Sequence, residues 1–279
     1  MGGGVNKDKR LMISRLPSKK VKREFYEGFV IEGTASSKPK LMINNTLVDV
    51  TSYNEGTKKF KYSTLEEVTR LNNLFSNVAK DEYFSITKLE PTTEVYEMQN
   101  MFNGCRNISQ EVFDNLDVSR LKEGKGMFQN LEYDKDILDL TKLDFYSIEN
   151  ASSMFSGVKG VKEIKFKPSE EIKYGYFSVR RFSNMFSNCS AVRLDLSMFK
   201  NYKTLPMDGL CGENLEYLDI SQFIPLSKVV YKNWILCYCT NLKTIRTNRK
   251  FRDWLLENEQ QVLPQQFRQG GDGVFILVD

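Results

Sequence analysis

The sequence predicts an α/β-type repeat solenoid with one short strand and one short helical or 3₁₀ segment per unit. A β cap closes its N-terminal end and a helix-plus-strand cap closes its C-terminal end. Three observations predict this class. First, a doubled anchor recurs as Leu74-Phe75, Met101-Phe102, Met127-Phe128, Met154-Phe155, Met185-Phe186, Leu210-Cys211 and Leu236-Cys237, at spacings of 27, 26, 27, 31, 25 and 26 residues. Second, six residues before each anchor stands Val68, Val95, Leu121, Ile148, Val179, Thr204 or Val230, and only Thr204 breaks the apolar rule. Third, several anchors are followed by an alternating phrase: Leu116-Asp-Val-Ser119, Leu138-Asp-Leu-Thr141, Leu194-Asp-Leu-Ser197 and Leu218-Asp-Ile-Ser221. Alternation of apolar and polar residues is the period-2 mark of a half-buried strand.

Residues 1–23 precede the repeats and lack sustained periodicity. They hold Lys7, Lys9, Arg10, Arg15, Lys19, Lys20, Lys22 and Arg23 against one acid, Asp8, a net of +7. The rest of the chain carries 32 basic and 35 acidic residues, a net of −3. This arm is either a solvated tail or a docking element for an anionic partner: nucleic acid, an acidic protein face or a lipid surface. No aromatic residue is interleaved with its charges before Phe25, which weakens the nucleic-acid reading.

Residues 24–64 read as a small antiparallel β cap. Short apolar runs (Phe25-Tyr26, Phe29 to Ile31, Leu41 to Ile43, Leu47-Val48, Phe60 with Tyr62) alternate with turn clusters. Asn44-Asn45 between two such runs predicts a two-residue hairpin, because Asn tolerates positive φ. The expected role of the cap is to cover the open end of the stack, since terminal units need a polar outer face.

Residues 65–247 form seven repeats. The fourth and seventh keep the strand in Ile164-Lys-Phe166 and in Leu242 with Ile245. A period of 25 to 27 with one strand per unit falls in the leucine-rich-repeat range, and neighbouring units must stack to bury their apolar sides. Between Met154 and Met185 the spacing stretches to 31, with the surplus in residues 168–177. Insertions in solenoids map to loops on one face, often the binding face. Tyr174, Tyr176 and Phe177 are therefore candidate protein-binding residues, unless they pack back on the repeats.

The paired motifs MFNGC (Met101 to Cys105) and MFSNC (Met185 to Cys189) with LDLSMF (Leu194 to Phe199) and LDISQF (Leu218 to Phe223) resemble the BspA-type leucine-rich-repeat proteins. Those occur on bacterial and mycoplasma surfaces, in some protists and in mobile elements. The resemblance covers roughly Leu65 to Thr247. It implies a solenoid used for adhesion or protein binding, with no enzymatic activity on the repeats and no catalytic residues to carry over. Unlike that family's usual members, the sequence shows no signal peptide, lipobox cysteine or wall anchor. Synthesis in the cytoplasm is expected, with a destination in a virion or other assembly, or at the cell surface if a leader is removed.

Residues 248–279 read as the second cap. Asn248 is placed to cap a helix with Phe251, Trp254, Leu255 and Val262 on one face, ended by Pro264. The turn Gly270-Gly-Asp-Gly273 leads into Val274-Phe-Ile-Leu-Val278, a strand suited to cover the edge of the last repeat.

Chemistry-bearing patterns are sparse. The chain has no histidine, so the commonest general base and metal ligand are missing. Five cysteines fit a reducing compartment rather than a disulfide framework, and Cys105, Cys189, Cys211 and Cys237 share repeat register with core positions. Cys237-Tyr-Cys239 lacks two further ligands for a metal site, and Gly270 to Gly273 lacks the Lys-Ser/Thr of a phosphate loop. The recurring Asp117, Asp139, Asp195 and Asp219 fit a role in turns. Asn44, Asn107, Asn150 and Asn188 begin N-x-S/T triplets, which matter only on a secretory route. No run is long and apolar enough to span a bilayer.

The expectation is a non-enzymatic protein-interaction or adhesion module without cofactor or metal. The alternative is a structural component of a larger assembly, such as a phage virion, anchored by the basic arm.

Overall fold

The computed structural model describes residues 28–76, 78–81, 83–168, 177–181, 183–200, 210, 212–225, 236 and 238–278, with the backbone alone for Phe177, Ser178 and Lys200. The chain opens with β1 (Phe29–Thr34), a hairpin of β2 (Lys40–Ile43) and β3 (Thr46–Asp49), then β4 (Ser52–Tyr53), β5 (Lys59–Thr64) and β6 (Ser85–Glu90). Asn44 and Asn45 take φ of 48° and 62°, the two left-handed torsions a tight hairpin requires. The Asn44 side chain also ties the hairpin to the first repeat: its Oδ1 accepts from the amides of Thr69 and Arg70, and its Nδ2 donates to Glu67 O. The amides of Met42 and Asn44 then donate to Leu74 O and Arg70 O, so β2 lies against the first turn of the stack.

The antiparallel sheet has the order β4-β5-β1-β6, so its last strand comes from beyond residue 64. The buried residues of β6, Ile86 and Leu89, are three apart rather than two. Ile31 faces Leu89 and Gly33 faces Ile86, with a register shift between Glu32 and Gly33 that leaves Thr87 as the extra residue. A bulge of this kind hides a strand from a period-2 reading.

Beyond the cap, successive units pair in parallel. One ladder runs Arg70–Glu97–Glu123–Asn150–Arg181, each residue four before its anchor, and a second runs Arg106–Glu132–Lys159. After a short helix α1 (Gln110–Asp114) come β7 (Ile137–Leu140), β8 (Glu163–Phe166), β9 (Phe177–Ser178), β10 (Arg193–Asp195), β11 (Phe199–Lys200), β12 (Tyr217–Asp219) and β13 (Thr244–Asn248). Helices α2 (Arg249–Glu257) and α3 (Glu259–Val262), a 3₁₀ turn at Gln265–Phe267 and β14 (Val274–Val278) complete the chain. Six of these strands form one sheet in the order β14-β13-β12-β10-β8-β7, all parallel, while β9 pairs with β11.

Around each anchor, where a helical or 3₁₀ segment is expected, the described repeats have two tight turns. In the second, the amide of Met101 bonds to Met98 O and that of Cys105 to Phe102 O; Met127 and Leu131, then Met154 and Val158, repeat the pattern. A helix cannot continue because left-handed residues interrupt it. The position before the anchor holds Asn73, Asn100, Gly126, Ser153 and Asn184, all at φ between 52° and 62°. Three residues after the first anchor residue stand Gly104, Asn130, Gly157 and Asn188, again at positive φ. Each turn then donates to the next: Phe102 N to Met127 O, Phe128 N to Met154 O and Phe155 N to Met185 O.

The core is the line of anchors. Ring centroids of Phe75, Phe102, Phe128, Phe155 and Phe186 follow one another at 5.7, 5.5, 5.1 and 5.1 Å, and the last two pairs are stacked within 5° of parallel. Leu74, Met101, Met127, Met154, Met185 and the apolar residues six before them, Val68 through Val179, are buried beside the rings. Thr204, Val230, Cys211 and Cys237, the corresponding positions of later repeats, lie outside the described residues, as does Phe182.

Two further expectations differ in detail. Leu116 to Ser119 is not a strand: the Thr92 hydroxyl accepts from Asp117 N and donates to Asp117 O, satisfying the groups that a neighbouring strand would take. The C-terminal helix is broken at Asn258, whose amide bonds to Trp254 O, so Val262 is buried from α3 rather than α2. Asn248 does cap α2, accepting from Phe251 N at 2.9 Å.

Candidate functional site: the outer face of the parallel sheet

The alternating phrase sends one residue of each pair inward and the next outward. Leu138, Ile164, Leu194, Leu218 and Ile245 point into the core at no more than 1% exposure. Their neighbours form rows across the outer face. Strand pairing aligns Ile137, Glu163, Arg193, Tyr217, Thr244 and Val274 in one row; a second joins Asp195, Asp219, Arg246 and Ile276, with Asp139 beside Lys165.

The side chains of these rows are held by one another. The guanidinium of Arg193 sits 3.7 Å from the Tyr217 ring centroid, with its Nε 3.8 Å from Glu163 Oε1. This is cation–π geometry, with the charge seated over the face of the ring. Arg246 Nη1 lies 2.7 Å from Asp219 Oδ2, and Asp219 Oδ1 accepts from Ser221 N at 2.9 Å. The Asp219 carboxylate is buried, at 1% side-chain exposure, while Arg246 remains partly open to solvent. The hydrogen bond that Arg246 donates to Asp219, then the charge of Asp219, pushes the guanidinium above its ordinary value against the opposing effect of burial, with Tyr217 and Asp195 adding to the shift.

The same Asp position serves each turn: Asp117, Asp139, Asp195 and Asp219 accept from the amides of Ser119, Thr141, Ser197 and Ser221 at 2.8 to 3.0 Å. These are the turn bonds expected of the recurring Asp. Exposed Ile137, Val274 and Ile276 flank the charged centre. The face thus combines an arginine, a tyrosine and exposed apolar side chains; arginine and tyrosine are residue types enriched in protein–protein interfaces.

A concavity lies where the residues four before the anchors line up. It encloses about 520 Å³ and is bordered by Tyr96, Glu97, Arg120, Lys122, Glu123 and Glu149. Most of its charges are already engaged: Glu97 with Arg70 and Asn72, Arg120 with Glu94, and Glu123 with Asn150.

Burial pushes the Cys105 thiol up to about 12 and the Cys189 thiol up to about 11, so neither is a thiolate at neutral pH. Cys239 is buried, whereas Cys237 lies outside the described residues. Among the described residues no group of three or more Cys, Asp or Glu is arranged to hold a metal ion, and no helix is long and apolar enough to cross a membrane.

Of the binding residues expected from sequence, Tyr174 and Tyr176 lie outside the described residues, as do Lys7, Lys9, Arg10, Arg15, Lys19, Lys20, Lys22 and Arg23 of the arm. Phe177 begins β9, pairing with Phe199, with its backbone alone described. Sequence reasoning passed over Arg193, Tyr217 and Arg246. Their signal was present: each flanks the buried Leu or Ile of its strand phrase, and such flanking residues must face outward.

No curated protein and no solved structure matches the chain. A family described as "Mycoplasma protein of unknown function, DUF285" matches residues 42–167 and again residues 139–230, which together run from within β2 through the stacked turns to the sheet as far as β12. The chain belongs to this DUF285 family.

Proposed function

We propose that the chain is a leucine-rich-repeat solenoid of the BspA-like kind, acting as a non-catalytic protein-binding or adhesion module through the outer face of its parallel sheet. The observation that carries this reading is the row Ile137–Glu163–Arg193–Tyr217–Thr244–Val274, one outward side chain from each of six successive parallel strands. Rigid strands hold such a row in fixed register, so a partner meets an ordered surface and loses little freedom to adaptation. Membership of the DUF285 family is compatible with the BspA resemblance of the MFxxC and LDxS motifs.

The test uses immobilised full-length chain, wild type against Arg193→Glu with Tyr217→Ala, exposed to extracts of the native source and its surroundings. The wild type should retain proteins that the double variant loses, with the variant's melting temperature little changed. Equal retention by both would remove the sheet face from the proposal. Alanine at Tyr174, Tyr176 and Phe177 tests the long loop in the same assay.

A second reading, a structural component of a larger assembly, rests on the charge split between the arm (+7) and the body (−3). Deleting residues 1–23 separates the two. It should abolish incorporation into an assembly and leave sheet-face binding intact.

A further inference from the structure

One column of the stack is open at its first rung. Three residues before the buried Val95, Leu121 and Ile148 stand Thr92, Val118 and Phe145, each 1% exposed. The first unit places Leu65 at this position, three before the buried Val68, and Leu65 is 79% exposed. A lone surface leucine is ordinary. This one is the end of a core column, and an end rung has a neighbouring unit on one side only. Among the described residues the antiparallel sheet leaves it bare: β5 ends at Thr64, and β4 pairs with β5 only at Lys61 and Phe60.

The backbone that enters β1 runs beside this rung. Phe29 pairs with Thr64, and Gly28 turns the chain at φ +76°. A Cβ at Gly28 would clash with Thr64 O and stand 3.1 Å from Leu65 Cδ2, so glycine is required for the chain to pass there. Just before it the sequence reads Phe25-Tyr26-Glu27, and these two aromatics are the only ones in residues 1–27. With ~3.8 Å between successive Cα atoms, the Cα of Tyr26 lies within about 8 Å of that of Gly28, and the Cα of Phe25 within about 11 Å. Both side chains are therefore tethered within reach of Leu65.

We propose that Leu65 is the docking point of the basic arm: Phe25 and Tyr26 of the same chain, which lie outside the described residues, cover it and close the N-terminal end of the stack. Tethering selects this occupant over another chain, because a segment joined two or three residues away acts at an effective concentration on the order of millimolar or above. The contact fixes the root of the arm at the cap, so the eight cations of residues 7–23 are presented from that end of the molecule. Deleting residues 1–23 spares the aromatic pair, so the inference fails or stands apart from the reading in which the arm anchors an assembly.

Limited trypsin digestion of the full chain, read by mass spectrometry, tests the proposal, with each rate referred to a synthetic peptide of residues 15–30 of the same sequence. Cleavage after Lys22 and Arg23 should be about tenfold slower in wild type than in Leu65→Asp, while cleavage after Lys9 and Arg10 stays the same. Phe25→Ser with Tyr26→Ser should release Lys22 and Arg23 to the same extent, and adding Leu65→Asp should raise the rates no further. If Leu65→Asp lost its cooperative melting transition, the Phe25 and Tyr26 variant would carry the comparison with wild type. Wild-type cleavage after Lys22 and Arg23 as fast as in the variants overturns the proposal. So do effects at the two sites that add in full, or protection that grows with protein concentration, which would place a second copy on Leu65.

Discussion

Gly157 illustrates how one residue joins two repeats. It sits at φ +71°, and a Cβ placed there would clash with Asn130 Oδ1 of the preceding turn. Gly270 has a similar torsion, φ +85°, with nothing within 4 Å of the same position. Alanine at Gly270 should therefore lose only the torsional preference, about 1 kcal/mol. Alanine at Gly157 adds the clash with Asn130 and should lose about 2–3 kcal/mol in a denaturant titration. Equal losses would show that the approach of Asn130 is immaterial.

Asp81 is the other telling residue, a clip between cap and stack. Burial raises its carboxyl, but hydrogen bonds from the Ser36 hydroxyl and the amides of Ser36 and Tyr83 outweigh that and hold it below the ordinary 3.8. A depressed folded value favours the native state above the unfolded value, and that contribution disappears as pH falls through the lower folded one. The stability gap between wild type and Asp81→Ala should thus be full at neutral pH and shrink below pH 3.8, as measured by urea midpoints. A gap constant down to pH 2 would contradict this.

At the scale of elements, the turn pair and its aromatic ring form the repeating part. Phe128 is stacked on Phe102 and Phe155 and meets Phe113 edge-on, so it has no space to collapse into when truncated. Phe128→Ala should lose about 3–5 kcal/mol, and Phe128→Leu less, by thermal unfolding. A loss under 1 kcal/mol would mean that the rings do not form a continuous core.

The first five anchors, the buried residues six before them, the Asn44-Asn45 turn, the Asn248 cap and β14 were legible in the sequence, because each depends on local pattern. The two left-handed columns were legible too, in the Asn, Gly and Ser around each anchor, yet a helical expectation masked them. Three features were not legible. The β6 bulge at Thr87 breaks the period, Thr92 replaces a strand with a side chain from a remote turn, and α2 breaks at Asn258 with no Pro or Gly to mark it. The outward residues Arg193, Tyr217 and Arg246 occupied readable positions, but their cation–π and ion-pair geometry depends on strands about 25 residues apart in sequence.

At the scale of the whole molecule, binding through the sheet requires the repeats to stack as successive parallel layers. That stacking sets a distance. Arg70 and Arg181 occupy the same position in the first and fifth units, four ladder steps apart. At ~4.8 Å per step their backbones should lie about 19 Å apart, although 111 residues separate them. Spin labels on Arg70→Cys and Arg181→Cys report this separation by electron–electron dipolar spectroscopy. Cys211 and Cys237 are first replaced with serine; buried Cys105, Cys189 and Cys239, the first two with thiols raised to about 12 and about 11, should stay unlabelled in the native protein. A single narrow distribution centred near 20–25 Å, allowing for the label arms, is the predicted result. A broad distribution, or a centre beyond roughly 35 Å, would contradict a stack of parallel layers.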